Sequence, residues 1–451
     1  MLRVAVVGSG PSGVYTAQSL VEQSAVPGVR VDVLDRLPCP YGLVRYGVAP
    51  DHEKIKSLQG NLRGVLEHER IGFIGNVEVG TGGLTPGRLL ELYHAVVYCV
   101  GAARDRRLGV PGEDLAGSFS ATEFVSWYSA HPDAVGDRFV LGARSAVVIG
   151  VGNVAVDVAR VLARGPRELH PTDVPEAALR VLAASRVREV HMVGRRGPSQ
   201  AKFTTKELRE LGSLPEAAVA VDPADLALDP GFADPAGLPA VNRRNVEVVR
   251  GWATGGDGAA GPPRSRTIRL RFFLRPVEVL GDSGRVAGVR FERTVPDGSG
   301  GVRGTGTHEE IEAGLVLRAV GYRGVPLPGL PFDPARGTVP HAAGRVLREG
   351  APSPGEYVAG WIKRGPTGVI GTNRPCAKET AASLLADAAA LARREVAADP
   401  VAALRAWGHR PVEWPGWLAI ERAEAELGRR LGRGSVKIAD WAGLLDAAGR
   451  D

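Results

Sequence analysis

The chain has 451 residues, 44% hydrophobic and 24% charged, with a formal net charge of +6. That length exceeds one compact core and fits two domains with extensions, and no apolar run nears the roughly 20 residues of a membrane-spanning helix. The positive excess is scattered arginine without the lysine-rich blocks of a nucleic-acid arm, which argues against nucleic acid and for an acidic protein partner.

The first predicted elements are a buried strand, Val4-Ala-Val-Val7, the turn Gly8-Ser-Gly10-Pro-Ser-Gly13, a helix, and a second strand, Val31-Asp-Val-Leu34, ending at Asp35. The N-terminal run Met-Leu-Arg-Val-Ala-Val-Val shows no small-residue cleavage site, so a cytoplasmic protein is expected. Asp51 is expected to cap a helix carrying the periodic stretch Ile55 to Leu66. A further strand, Ala95 to Val100, closes on Gly101-Ala102 and leads into the arginine-rich segment 104–107.

A second glycine turn, Gly150-Val-Gly152-Asn-Val-Ala155, follows the strand Ala146-Val-Val-Ile149 and opens another helix. A helical insertion is expected between Arg164 and Arg188, then the strand Val190-His-Met-Val193 and the loop Gly194-Arg195-Arg196-Gly197. Residues 215–310 read as antiparallel strands and loops, with mobile tips at Gly255 to Gly261 and Gly298 to Gly306. Leu315 to Val320 is a strand closing on Gly321, Ala377 to Val396 an amphipathic helix, and Trp407, Trp414, Trp417 and Trp441 anchor the tail. The layout is α/β: two Rossmann-like dinucleotide-binding domains of glutathione-reductase type, one inserted in the other. The predicted boundaries are 1–105 and 322–451 for the first domain and 106–321 for the second.

The strand ends tell the two turns apart. Asp35 lies about 22 residues beyond Gly13, where a carboxylate accepts hydrogen bonds from an adenosine ribose and repels a 2′-phosphate. Arg195 and Arg196 occupy the corresponding place in the second unit and offer planar donors suited to a phosphate dianion. The first unit therefore suits FAD or NAD(H) and the second NADP(H); weighed together, the first is expected to hold the flavin. A helix opening near Gly368 would aim its N–H groups at the pyrimidine edge of a flavin, with Trp361 packed on the ring or its ribityl chain. Cys39, Cys99 and Cys376 form no Cys-x-x-Cys pair, which removes a sequence-local redox dithiol, zinc site or iron-sulfur ligand set. His52 reads from the residues alone as a helix-start histidine, and Glu210 as a surface charge.

The chain resembles the adrenodoxin-reductase-type ferredoxin-NADP reductases, in particular their actinobacterial members. The resemblance rests on the first turn, Pro40-Tyr-Gly-Leu-Val-Arg45, Gly47-Val-Ala-Pro-Asp-His52, the second turn, Val193-Gly-Arg-Arg-Gly-Pro198, Phe203-Thr-Thr205 with Glu207-Leu-Arg-Glu210, and Gly360-Trp-Ile-Lys-Arg-Gly-Pro-Thr-Gly-Val-Ile-Gly-Thr372. It implies hydride transfer between NADPH and FAD, then single-electron transfer to a ferredoxin, a small acidic iron-sulfur protein. A cytochrome P450 or another acceptor would lie downstream, and the family suggests a monomer. Besides the glycines Gly8, Gly10 and Gly13, implied FAD contacts are Ser12, Asp35, Leu43, Val79, Trp361 and Gly368, Val369 and Ile370. Implied NADP contacts are Arg106, Val151, Gly152, Asn153, Val154, Arg195, Arg196, Glu207 and Gly368. His52 and Glu210 match residues that orient the cofactor and assist proton movement, and Arg209, Arg243 and Arg244 are candidate docking charges. The family has glutamate at Asp35, so flavin affinity is where this chain is expected to differ. A flavin monooxygenase and a non-catalytic NADP(H)-binding sensor are the competing readings.

Overall fold

The computed structural model describes the chain apart from residues 24–27, 81–83, 137–138, 255–263 and 450–451. It divides into two compact units: residues 1–48, 52–104 and 322–451 form one, and 49–51 with 105–321 the other.

The first unit is built on an eight-stranded sheet ordered His341–Ala342, Arg345–Arg348, Ala351–Val358, Ala95–Tyr98, Leu2–Val7, Val29–Leu34, Ile71–Gly75 and Val412–Glu413. Its five central strands are parallel, with Leu2 opposite Val29 and Val4 opposite both Val31 and Ala95. Val4 and Val6 belong to one apolar cluster and Ala5 and Val7 to another, so both faces of this strand are covered. A strand buried on both sides reads as an unbroken apolar run, which is why Val4-Ala-Val-Val7 shows no alternation. Pro11–Glu22 and Asn373–Ala386 pack together on one face. The tail is tied down by its tryptophans. Trp417 is fully buried and edge-on to Tyr41, Trp414 is edge-on to Phe73, Trp441 lies beneath Arg36, and Trp407 lies beneath Arg88.

The second unit carries a six-stranded parallel sheet, ordered Ser118–Ser120, Leu315–Arg318, Ser145–Ile149, Glu189–Val193, Arg266–Arg271 and Ala217–Val221. Beside it lies an antiparallel sheet of Leu274–Asp282, Arg285–Pro296 and Val302–Glu312. The expectation of antiparallel structure across 215–310 is therefore right only from Leu274 onward. Before that point come two parallel strands and the helices Pro223–Ala227, Pro230–Ala233 and Ala240–Ala253. Proline and aspartate misled there because they serve as helix starts: Asp222 and Asp229 each cap a helix whose first residue is proline. Of the two expected mobile tips, Gly255 to Gly261 lies outside the described residues. The other is a hairpin whose turn is tied by Asp297, which accepts from Ser299 and Gly301 backbone N–H groups.

Asp51 binds two arginines of the second unit. Its carboxylate accepts from Arg160 Nε (2.7 Å), Arg160 Nη2 (3.1 Å) and Arg164 Nε (2.7 Å), charge-assisted bonds that the sequence around it does not announce. The expected single helix is two pieces, Glu53–Lys56 and Leu58–Leu66.

Candidate dinucleotide sites

Each glycine of the first turn is required for a different reason. Gly8 holds φ +110°, and a Cβ there would sit 2.6 Å from the Cys99 carbonyl oxygen. At Gly13 a Cβ would lie 1.8 Å from the Gly8 carbonyl oxygen, so only glycine lets the helix pack this close to the turn. Gly10 differs: nothing approaches its missing Cβ nearer than Gly42 Cα at 3.9 Å, which leaves backbone facing open space. Gly10 also starts the helix Pro11–Glu22 without a side-chain cap, so the first-turn N–H groups and the positive end of the dipole stay available to an anion.

The second turn repeats this logic. Gly150 takes φ +141°, where a Cβ would meet the Ala319 carbonyl oxygen at 2.3 Å, while Gly152 has nothing within 4 Å. The helix Asn153–Ala163 likewise begins on glycine with no side-chain cap. Both turns thus fit a pyrophosphate where their second glycine leaves room.

Around the first turn, the structure gathers most of the expected FAD residues. Ser12 Oγ is buried with no hydrogen-bond partner, and the Cβ missing at Gly360 would come within 2.2 Å of it, which brings the Trp361 segment against the turn. Trp361 is stacked with Tyr322, ring centres 5.5 Å apart. Leu43 follows Gly42, Gly10's neighbour, and is 46% exposed; Val369 is 60% exposed. Two large apolar side chains left open beside a cradle are what a flat apolar ligand would cover. Val79 is instead buried in the cluster shared with Val7 and Leu34.

Asp35 is occupied by its own turn. One oxygen accepts from Ser9 N (2.8 Å) and Ser9 Oγ (2.5 Å), and the other from Leu37 N (2.9 Å). Burial pushes its carboxyl above the usual carboxylate range, while those hydrogen bonds work in the opposite direction. Three of about four acceptor positions are taken, so a ribose must share this carboxylate with Ser9.

The expected helix start near Gly368 is corrected. Gly368 takes φ +83° and Val369 is extended, so the chain turns through Ile370–Thr372 and the helix opens at Asn373.

In the second unit, Asn153 Oδ1 accepts from Thr204 N (2.8 Å), which ties the helix Thr205–Gly212 to the glycine turn. Glu207, in that helix's first turn, is buried with Oε2 unpartnered, as is Thr205 Oγ1. Val151 and Val154 are half-buried beside the turn, and Val151 O accepts from Lys202 N (2.9 Å). Arg195 is exposed and Arg196 half-buried, and neither guanidinium has an ion pair among the described residues. Arg106 is exposed, its backbone N–H donating to Gly321 O (2.8 Å).

Glu210 is not the free surface charge its position suggested. Its Oε2 lies 3.1 Å from Nη1 of Arg160, which is fully buried and also binds Asp51 and Asp157. An arginine inside the apolar run 154–163 was the available signal for this cluster. In the first unit, His52 is buried, and its carbonyl accepts from Ile55 N and Lys56 N.

All three cysteines are buried and free. Burial pushes the Cys39 thiol up to about 11 and that of Cys99 to about 12, the reverse of what a reactive thiolate needs.

Residues 2–208 match the pyridine nucleotide-disulphide oxidoreductase family. The chain is 45% identical to the NADPH-ferredoxin reductase FprA of Mycobacterium tuberculosis, covering 98% of each. It is 39% identical to the mitochondrial NADPH:adrenodoxin oxidoreductase of Arabidopsis thaliana, covering 99% of this chain and 95% of that one. Among solved structures, M. tuberculosis FprA in complex with NADPH superposes with a TM-score of 0.90 at 44% identity over 99% of both chains. No helix among the described residues is long and apolar enough to cross a membrane.

Proposed function

Since the chain belongs to the NADPH-ferredoxin reductase family, we propose that it is a ferredoxin–NADP+ reductase, an FAD-containing oxidoreductase that passes electrons from NADPH to a ferredoxin. The observation that carries this reading is the pair of uncapped glycine turns whose strands end differently, in Asp35 and in Arg195-Arg196. Bound FAD takes up a hydride and gives up electrons singly, chemistry that no side chain supplies.

Residues 1–105 and 322–451 hold FAD and residues 106–321 hold NADP(H). In the first, Gly8, Gly10 and Gly13 admit the pyrophosphate, Ser12 supplies an unused hydroxyl, and Asp35 meets the ribose. Leu43, Trp361 and Val369 cover apolar ring surface, with Val79, Gly368 and Ile370 completing the contacts. In the second, Val151 to Val154 carry the pyrophosphate, and Arg195 with Arg196 grips the 2′-phosphate. Arg106, Glu207 and Gly368 complete that contact set. His52 and Glu210 orient the reacting rings and assist proton movement, with Glu210 steadied by Arg160. Inert, buried thiols support electron exit to a protein acceptor over disulfide reduction, and suit a reducing cytoplasm.

The partner is a small acidic iron-sulfur protein, with a cytochrome P450 or another acceptor beyond it, and the enzyme acts as a monomer. Arg209, Arg243 and Arg244 support a basic docking face. All three are exposed, without ion pairs among the described residues, on helices Thr205–Gly212 and Ala240–Ala253 that pack together. Raising salt from about 0.05 to about 0.5 M, roughly a threefold shortening of the Debye length, should raise KM for ferredoxin severalfold and leave KM for NADPH less affected. Equal responses would remove the basic face.

The visible spectrum tests the reading: purified protein shows flavin bands that NADPH bleaches without oxygen. A folded preparation without them would leave the sensor reading standing.

A further inference from the structure

The geometry points to Thr294 and Asp229 as positioning residues that set the nucleotide preference of the second glycine turn, by pinning the segment Gly194 to Ser199 at both ends. This rests on the reading that Arg195 and Arg196 meet the 2′-phosphate.

The two arginines sit in a loop beyond the strand Glu189–Val193, with guanidiniums that no carboxylate holds among the described residues. A loose loop would have to be ordered by the ligand itself, and that lost freedom would subtract from binding. Here the backbone is already fixed. On entry, Gly194 N donates to Arg271 O (2.8 Å) and Gly194 O accepts from Leu274 N (3.1 Å). One residue on, the Thr294 hydroxyl donates to Arg195 O at 2.9 Å. Thr294 is 1% exposed, its own N–H donates to Phe273 O, and a register shift between Glu292 and Thr294 sets it apart from the regular ladder.

At the exit, the Asp229 carboxylate accepts from Ser199 N (2.8 Å) and Ser199 Oγ (2.7 Å), while also capping the helix Pro230–Ala233 through Gly231 N. It is 3% exposed. A Cβ at Gly197 would lie 2.3 Å from Asp229 Oδ2, so that glycine is what lets the carboxylate reach the turn. Asn242 Nδ2 adds a donor to Ser199 O (2.8 Å). Only Arg195, Arg196 and Gly197 with Pro198 lie between the pinned points. Removing either pin frees the arginine backbone without touching the pyrophosphate turn, so the loss falls on ligands that carry the 2′-phosphate.

The test is calorimetric titration of the holoprotein with 2′,5′-ADP and with 5′-AMP, fragments that differ by that phosphate. Thr294→Val removes the hydroxyl at similar volume and should weaken 2′,5′-ADP about fivefold, the effect of one lost hydrogen bond, with 5′-AMP within about twofold. Asp229→Asn should shift the two in the same unequal way, and Thr294→Ser should restore normal binding. Equal weakening of both fragments, or of neither, in Thr294→Val and Asp229→Asn overturns the inference. The variant Arg195→Ala with Arg196→Ala separates the two levels. If it keeps the preference for 2′,5′-ADP, the phosphate reading fails and the inference with it; if it loses that preference while the pin variants keep theirs, the inference alone fails.

Discussion

Gly13→Ala should yield a protein that folds yet retains little flavin, with FAD affinity at least about tenfold lower, equivalent to about 1.4 kcal/mol. The added Cβ would lie 1.8 Å from the Gly8 carbonyl oxygen and 3.2 Å from Val6 Cγ1. The nearer contact is backbone, so no side-chain rotation relieves it. Gly8 cannot yield either, being held at φ +110° against the Cys99 carbonyl. The helix Pro11–Glu22 must therefore shift, and its uncapped N–H groups move off the pyrophosphate. Overpacking of this kind costs about 1–3 kcal/mol in stability as well. Gly64→Ala is the matched control: it is exposed in the helix Leu58–Leu66 with nothing within 4 Å, and should stabilise by about 0.5–1 kcal/mol. Flavin absorbance per protein and titration of apoprotein with FAD read both. Full flavin content at normal affinity in Gly13→Ala would refute the assignment of this turn.

Replacing Arg195 and Arg196 together with alanine should lower kcat/KM for NADPH by about 100-fold or more, while NADH use changes only a few-fold. Each charge-assisted hydrogen bond to a phosphate contributes about 1.5–3 kcal/mol, or roughly 10- to 150-fold. Exposure of Arg195 puts its share at the lower end. NADH has no group for these guanidiniums to hold, so a uniform loss with both nucleotides would mean the arginines act on folding or docking.

What could be read from the sequence is what backbone contact dictates. The need for glycine at position 13 is set by the Gly8 carbonyl in the same turn, and the apolar runs before each turn are fixed by burial on both faces. The contrast between Asp35 and Arg195-Arg196 was legible because both follow their strands directly. Contacts across long stretches of chain were not. Asp51 was expected only as a helix cap, because nothing nearby announces Arg160, 109 residues on. Thr294 lies 99 residues from Arg195, and Asp229 lies 30 from Ser199, so neither shows in any local pattern. The helix start at Asn373 was misjudged because Gly368 permits a helix but takes a positive φ that excludes one.

The proposed function requires that electrons entering from NADPH leave one at a time to a ferredoxin. Cytochrome c reduction by the purified protein, with NADPH and NADH side by side and a panel of ferredoxins added one by one, measures this directly. The expected result is a rate that depends on NADPH, is much smaller with NADH, and rises severalfold or more with at least one acidic ferredoxin. A protein whose flavin NADPH reduces rapidly, but whose rate no ferredoxin increases, would contradict it.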